Sequence, residues 1–212
     1  MAKYIIYPCN GRYKSLEKWP KDIIKMPLVK DSNYEAYPLN GHHFMPFYHI
    51  EYVLPKLEDI FHFGYKREDF NLHERMDGKH DVSYLEPKKD VRFDFYNLTS
   101  GEHLENAAYS DIVDCKPKTN QFTPYHTIFR CAHQCGRLIN KGENNGRTIV
   151  ISCDSQMIPV IPVMCCYFKE VWCLDNRDNK PHITNLDTNT VTDVLIAGGF
   201  NGENKYLVDN FK

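Results

Sequence analysis

The pattern of apolar and polar positions predicts an α/β fold in the C-terminal part of the chain. Residues 148–152 form a β-branched apolar run that is typical of a buried strand. Residues 157–168 then have the length of a helix, further strands are predicted at 170–174 and 191–197, and a closing helix at 201–211. Because strands that alternate with helical segments form parallel sheets, we expect a parallel sheet with crossover helices.

The rest of the chain is more irregular. A strand is predicted at residues 4–7, and residues 47–63 have apolar positions at helical spacing, with a kink or a break into two helices at Pro55. Residues 67–125 are polar and alternating, with a half-buried strand at 91–96, and we interpret them as a β-rich insertion. A helix is expected at 128–140. We interpret residues 1–212 as a single domain that contains this insertion.

Composition narrows the classes of partner. A net charge of −2 over 212 residues gives no general attraction to nucleic acid or to an anionic membrane. No apolar run is long enough for a secretory signal or a membrane span, so we expect a cytoplasmic protein or a virion component. The 8 cysteines are therefore expected as free thiols. Composition leaves the oligomeric state open.

Two polar residues lie just beyond predicted strands. Ser155 follows the first strand and Asn201 follows the third. Ligands of parallel α/β sheets bind at the carboxyl ends of the strands, which makes both residues functional candidates. A serine nucleophile needs an exposing turn, a base and donors for the developing oxyanion. The structural alternative is that Ser155 and Asn201 cap the helices that follow them.

The surrounding motifs resemble those of SGNH hydrolases. That family carries a Gly-Asp-Ser block after its first buried strand and a Gly-X-Asn-Asp block after a later one. This chain has Cys153-Asp154-Ser155 and Gly199-Phe200-Asn201-Gly202, in that order. The resemblance implies a three-layer, Rossmann-like sheet, with Ser155 as nucleophile. It also implies that the Ser155 N–H and the Asn201 amide donate to the oxyanion, without any cofactor.

The base is indicated by a second motif. Asn40-Gly41-His42-His43-Phe44 is similar to the Asp-His-His-Trp motif of glycan O-acetyltransferases and esterases related to the alginate acetylation proteins. The match implies that His43 is the base. Gly41 stands where that subset has the Asp that orients the histidine, and another carboxylate (Asp31, Glu35 or Asp81) is then needed for this role.

Three functions are compatible with these motifs. The first is a serine esterase or O-acyltransferase that acts on acyl groups, most simply acetyl, of a glycan or of an acylated small molecule. The second is an SGNH-like module whose chemistry has eroded and whose role is structural or glycan-binding, which Gly41 favours. The third, a small zinc protein, is suggested by His126, Cys131, His133 and Cys135. Their spacing matches no common finger, and we prefer packed thiols and no metal site.

Overall fold

A computed structural model describes residues 49–74, 76–77, 80–81, 83–113, 134–153, 157–175, 180–197, 207, 209 and 210, together with the strands at 3–7 and 24–25. Twelve strands are present in this part of the chain. In chain order they are β1 (Lys3–Tyr7), β2 (Ile24–Lys25), β3 (Phe70–His73), β4 (Met76–Asp77), β5 (His80–Asp81), β6 (Tyr84–Pro87), β7 (Arg92–Asn97), β8 (His103–Ala108), β9 (Gly136–Asn140), β10 (Thr148–Cys153), β11 (Glu170–Asp175) and β12 (Asp193–Ala197).

The described helices are short. The α-helices are α1 (Leu54–Phe61), α2 (Tyr109–Ile112), α3 (Ile161–Cys165) and α4 (Lys180–Ile183). A π-helical turn, His49–Val53, precedes α1, and 3₁₀ turns lie at Arg67–Asp69, Ile158–Val160 and Thr188–Thr190. Pro55 stands in the first turn of α1, where its missing N–H leaves no hydrogen bond unmade. This position explains the break in the helical segment at 47–63.

Eight strands form the main sheet, in the order β2-β1-β12-β10-β11-β9-β7-β8. The strands from β2 to β11 are parallel, whereas β9, β7 and β8 are joined to their neighbours antiparallel. Two small antiparallel pairs, β3–β6 and β4–β5, lie apart from it. The α/β class is therefore confirmed, with a sheet that is mixed rather than parallel throughout.

The sheet is covered on both faces. On its first face Ile149, Ile151 and Leu195 pack with residues of the π-helical turn, α1 and α3. On its second face Val150, Val194 and Ile196 pack with Ile183 of α4, with Leu186 and with Leu207. Successive side chains of a strand point to opposite faces, and two apolar layers explain why every residue of β10 is buried. Helix, sheet and helix form three layers.

A buried ion pair joins three elements at the amino ends of the strands. Arg147 Nε donates to Asp193 Oδ2 at 2.9 Å, and a second guanidinium nitrogen donates to Asp193 Oδ1. The third nitrogen donates to the carbonyls of Phe61, at 2.7 Å, and His62, at 3.2 Å. Asp193 is only 1% exposed. The pair thereby fixes the end of α1 against the first residues of β10 and β12.

Most predicted elements are present, and one is wrong in part. The strands expected at 4–7, 91–96, 148–152, 170–174 and 191–197 correspond to β1, β7, β10, β11 and β12. The helix expected at 128–140 is contradicted at its C-terminal end, because residues 136–140 form β9. This segment pairs with β7 and β11, and its burial alternates. Sheet pairing therefore outweighs local helical spacing there.

Residues 67–113 are rich in strands, and β7 and β8 of this region belong to the main sheet. The description of the chain as one domain with an insertion at 67–125 stays a prediction. Among the described helices, none has both the length and the apolar character that crossing a bilayer demands.

Candidate active site at the carboxyl edge of the sheet

The carboxyl ends of four parallel strands lie level with one another. Ser152 of β10 is in register with Ile196 of β12, which is itself in register with Ile6 of β1. Cys153, the last residue of β10, is in register with Asp175, the last residue of β11. Since neighbouring strands are about 4.8 Å apart, chain segments that leave these ends begin close together.

The chain leaves two adjacent strands toward opposite faces. After β10 it enters the segment with the 3₁₀ turn 158–160 and α3, which packs on the first face. After β12 it leads to Leu207, which packs on the second face. In α/β sheets, such a divergence leaves a crevice outside the carboxyl ends of the two strands, and this crevice is the usual place for ligands.

The predicted catalytic residues lie outside the described residues. Ser155 follows the end of β10 by two residues, and Asn201 follows the end of β12 by four. His43 precedes the π-helical turn by six residues. Their assignment as nucleophile, oxyanion donor and base therefore stays a prediction. Of the carboxylates considered as partners of His43, Asp31 and Glu35 also lie outside, and Asp81 belongs to β5.

Elements adjoining two of these residues contact each other on the first face. The π-helical turn that begins at His49 packs against the 3₁₀ turn 158–160. The first turn continues the chain from His43, and the second continues it from Ser155. Ile50 and Ile158 belong to the same buried apolar cluster, which fixes this contact.

The π-helical turn holds a residue that motif comparison did not single out. His49 is fully buried, with 0% of its surface exposed. Turns of π-helix are rare and frequently occur at functional sites. A buried imidazole on the element after His43 belongs among the candidate site residues. Sequence gave only a weak signal, since His49 lies within an apolar helical pattern.

A buried carboxylate ends β11, and the buried thiol of Cys135, which precedes β9, lies beside it. Asp175 is 7% exposed, and its backbone N–H donates to Cys135 Sγ at 3.3 Å. Cys135 thus completes the hydrogen bonding of a strand end. His126, Cys131 and His133 lie outside the described residues, and within the described ranges no three potential metal ligands come together.

Cys153 is the residue that the resemblance to SGNH hydrolases aligns with the first glycine of a Gly-Asp-Ser block, and this alignment stays a prediction. Its side chain points into the apolar cluster of the first face and is 4% exposed. A thiol packs there as a small hydrophobic group. A cysteine side chain is thus accommodated by packing at this strand end.

Comparison with solved structures places the fold among known proteins. A crystal structure of a DHHW family protein from Eubacterium siraeum superposes with a TM-score of 0.66 and 15% identity, over 94% of this chain and 78% of that one. Bacillus cereus PatB1 superposes with a TM-score of 0.65 and 14% identity as its sulfonyl adduct, and with 0.64 and 15% in a second structure. Both comparisons cover 93% of this chain and 82% of PatB1. No family model and no curated protein matches the sequence.

Structural similarity at 14–15% sequence identity shows the fold alone. The α/β architecture of this chain is that of a DHHW family protein and of PatB1. DHHW is the one-letter form of the Asp-His-His-Trp motif that Gly41-His42-His43-Phe44 resembles.

Proposed function

We propose that this protein is an SGNH-like serine esterase or O-acyltransferase that acts on acyl groups of a glycan. Ser155 is the nucleophile, His43 is the base, and the Ser155 N–H and the Asn201 amide bind the oxyanion. The observation that carries the proposal is that the adjacent strands β10 and β12 end level with each other, while the described segments after them pack on opposite faces of the sheet. Ser155 and Asn201 follow these two strands by two and four residues.

Covalent geometry limits how far these residues lie from the crevice. An extended chain spans about 3.3–3.6 Å per residue, so Ser155 lies within about 7 Å of the end of β10. The same limit is about 14 Å for Asn201 from the end of β12. His43 has a longer reach of about 20 Å from the π-helical turn, which itself touches the 3₁₀ turn after Ser155. These limits are compatible with one site.

The proposed chemistry uses side chains of this chain and one of its backbone N–H groups. Ser155 Oγ attacks the acyl carbonyl carbon while His43 accepts the hydroxyl proton, and the carbonyl oxygen becomes an oxyanion held by two N–H donors. When the tetrahedral intermediate collapses, the alcohol leaves with the proton from His43, and an acyl-serine remains. Water or an acceptor hydroxyl then attacks the acyl-serine and gives its proton to His43. The carboxylic acid or the new ester is released, and Ser155 Oγ takes the proton back from His43.

The sulfonyl adduct of PatB1 supports this class of chemistry. Sulfonylation needs an activated nucleophile, and PatB1 shares the fold over most of both chains. The glycan and the acetyl group come from the resemblance to glycan O-acetyltransferases and esterases, which is carried by the His42-His43 and Asp154-Ser155 motifs.

The proposal is tested by p-nitrophenyl acetate hydrolysis and by labelling with a fluorophosphonate. We expect Ser155→Ala to lose both, with Ser100→Ala, an exposed serine in the turn after β7, as the matched control. His43→Ala should reduce kcat strongly, whereas His42→Ala should not. Loss of one oxyanion donor in Asn201→Ala should reduce kcat by about 10²–10³.

Two results would end the esterase proposal. One is an equal, near-background rate in wild type and Ser155→Ala. The other is a fluorophosphonate label at a residue other than Ser155. If His49→Ala abolishes activity while His43→Ala does not, the buried histidine of the π-helical turn replaces His43 as base.

Gly41 favours a second function, that of an eroded module with a structural or glycan-binding role. In the serine protease template, loss of the carboxylate that orients the histidine costs about 10⁴ in kcat. Gly41→Asp restores the motif residue. If activity rises in this variant from a background equal to that of Ser155→Ala, the natural chain is the eroded form.

A further inference from the structure

Asp175, the last residue of β11, carries a buried carboxylate that the mechanism above does not use. It is 7% exposed, and it lies in register with Cys153, the last residue of β10. Hydrogen-bonded strands of a sheet run about 4.8 Å apart. Asp175 is therefore one strand away from the point at which the chain leaves β10 toward Ser155.

The Asp175 side chain belongs to the first face of the sheet. Side chains alternate between the two faces along a strand. Cys173 of β11 packs in the apolar cluster of the first face, whereas Leu174 packs in that of the second face. By this alternation Asp175 returns to the first face, where Cys153, its register partner, also packs.

The same face carries the segment that continues the chain from His43. The π-helical turn begins at His49, six residues after His43, and its apolar residues pack in the cluster of the first face. This turn contacts the 3₁₀ turn 158–160, which follows Ser155. The segments that adjoin the proposed base and nucleophile thus meet on the face to which Asp175 belongs.

A carboxylate at this degree of burial needs hydrogen-bond donors or a cation. An ionised group that leaves water without such compensation is strongly disfavoured. The backbone of this strand end is already engaged, since the Asp175 N–H donates to Cys135 Sγ at 3.3 Å. An ionised carboxylate has about four acceptor sites, so contacts with its neighbours leave room for an imidazole N–H.

The proposed mechanism requires a carboxylate that the motif does not supply. Gly41 stands where the proteins that the motif resembles have the Asp that orients the histidine. Of the three substitutes named from sequence, Asp81 belongs to the described part of the chain, and it lies in the separate two-stranded sheet of β4 and β5. Asp175 lies in the main sheet, at the strand end beside β10.

We propose that Asp175 is a positioning residue that takes the role of the missing motif Asp and orients His43. The proposal rests on the proposed function, in which His43 is the base. Asp175 accepts the N–H of one imidazole nitrogen, so the other nitrogen is unprotonated and faces the Ser155 hydroxyl. The carboxylate stays ionised and stabilises the imidazolium that forms when His43 takes the proton of Ser155 Oγ.

The test combines NMR of His43 with the kinetics of p-nitrophenyl acetate hydrolysis. The variants are Asp175→Asn, Gly41→Asp and the double variant. Asp94→Asn is the matched control, because Asp94 is a strand carboxylate with a side chain 17% exposed, and its two neighbours in β7 pack on the first face, which places it on the second. In wild type, a nuclear Overhauser contact between the His43 ring and the Asp175 Cβ protons is sought, so the test does not depend on the folding of Asp175→Asn.

We expect the Overhauser contact in wild type. Asp175→Asn should lower the pKa of His43 by about one unit or more, because a nearby carboxylate stabilises the imidazolium. We expect kcat to fall by about 10²–10⁴ with little change in KM, since an unoriented imidazole is a poor base. Gly41→Asp should restore activity to Asp175→Asn, which a purely structural defect would not allow. Asp94→Asn should change neither the pKa of His43 nor kcat.

An absent Overhauser contact in wild type, or an unchanged pKa of His43 in Asp175→Asn, would overturn the proposal even if activity is lost. The loss would then come from packing or from another partner of Asp175, such as Arg177. Neither NMR measurement requires hydrolysis. A shifted pKa of His43 without a fluorophosphonate label on Ser155 therefore refutes the proposed function alone, whereas a label on Ser155 with an unshifted pKa refutes only the role of Asp175.

Discussion

Removal of the Arg147 guanidinium tests how the amino ends of the strands are held together. In Arg147→Met the aliphatic stem is largely kept, while every hydrogen bond to Asp193 from the guanidinium is lost. Asp193 is 1% exposed, and it keeps a hydrogen bond from Thr192 Oγ1 at 2.6 Å. The variant also leaves the carbonyls of Phe61 and His62 without this donor.

The expected loss is large for a single substitution. Breaking a buried ion pair by removing one partner costs about 3–5 kcal/mol, because a carboxylate stays buried without its counterion. The Arg147 side chain is 25% exposed, so water can partly replace it. We therefore expect the lower end, about 3 kcal/mol, which is about 6–12 °C in Tm for a chain of this size.

Urea unfolding monitored by tryptophan fluorescence measures the effect. Arg92→Met is the matched control, since the Arg92–Asp90 pair has side chains 43% and 69% exposed and should be worth little. The double variant Arg147→Met/Asp193→Leu should be more stable than Arg147→Met alone, because no charge is left buried. If Arg147→Met falls within about 0.5 kcal/mol of wild type, the pair does not hold these elements together.

Three further predictions concern polar side chains. Glu58→Gln should destabilise by about 1–2 kcal/mol in urea unfolding, because its carboxylate accepts three N–H groups, whereas Asp59→Asn should be near neutral. The hydrogen bond from Lys141 lowers the pKa of Asp94 below its ordinary value of 3.8. The ionised Asp94 therefore stabilises the fold above pH 3.8, and this stabilisation should be lost as the pH falls further. Asp94→Asn should abolish this part of the pH dependence of the free energy of unfolding. Asn97 begins the glycosylation motif Asn97-Leu98-Thr99, but it is 4% exposed and its side-chain amide forms hydrogen bonds with Thr99, Ser100 and Gln134. We expect mass spectrometry of protein from a glycosylating host to show no glycan on it.

The local pattern of apolar residues was sufficient to predict an element where the burial of that element is uniform or strictly alternating. β10 has apolar residues on both faces because both faces are covered, and a continuous β-branched run is the sequence form of that burial. β7 alternates between half-buried and buried residues, and its sequence alternates accordingly. Pro55 indicated the break in the N-terminal helical segment, because proline is tolerated only in the first turn of a helix.

Local pattern failed where pairing with distant strands decides the structure. β9 takes its conformation from β7 and β11, whose partners in the register lie 31–47 residues away along the chain. Leu138 has an apolar neighbour, Ile139, and such a doublet is as compatible with a helix as with a strand. Its inclusion in a predicted helix was therefore wrong for a reason that no short window contains.

The candidate site divides in the same way. The strand ends that precede Ser155 and Asn201 were predicted from sequence, because β10 and β12 are strongly apolar. That the two strands are adjacent, although β11 lies between them in the chain, is a property of the sheet order. The contact of the π-helical turn with the 3₁₀ turn 158–160 likewise joins segments that are distant in sequence.

The contact between the π-helical turn and the 3₁₀ turn 158–160 holds together the two chain segments that adjoin the proposed histidine and serine. The histidine of the proposed mechanism belongs to the first third of the chain and the serine to the last third, so a loop of 111 residues separates them. Closing such a loop for one pair of side chains is unfavourable. Here Val53, Leu54 and Leu57 bury themselves in the cluster that also holds Ile158 and Ile161, and this burial fixes both segments on the first face. Loss of that packing, for example in Leu57→Ala, should lower esterase activity together with stability, whereas an equal loss of stability in Ile183→Ala, on the second face, should leave the activity of the folded protein unchanged.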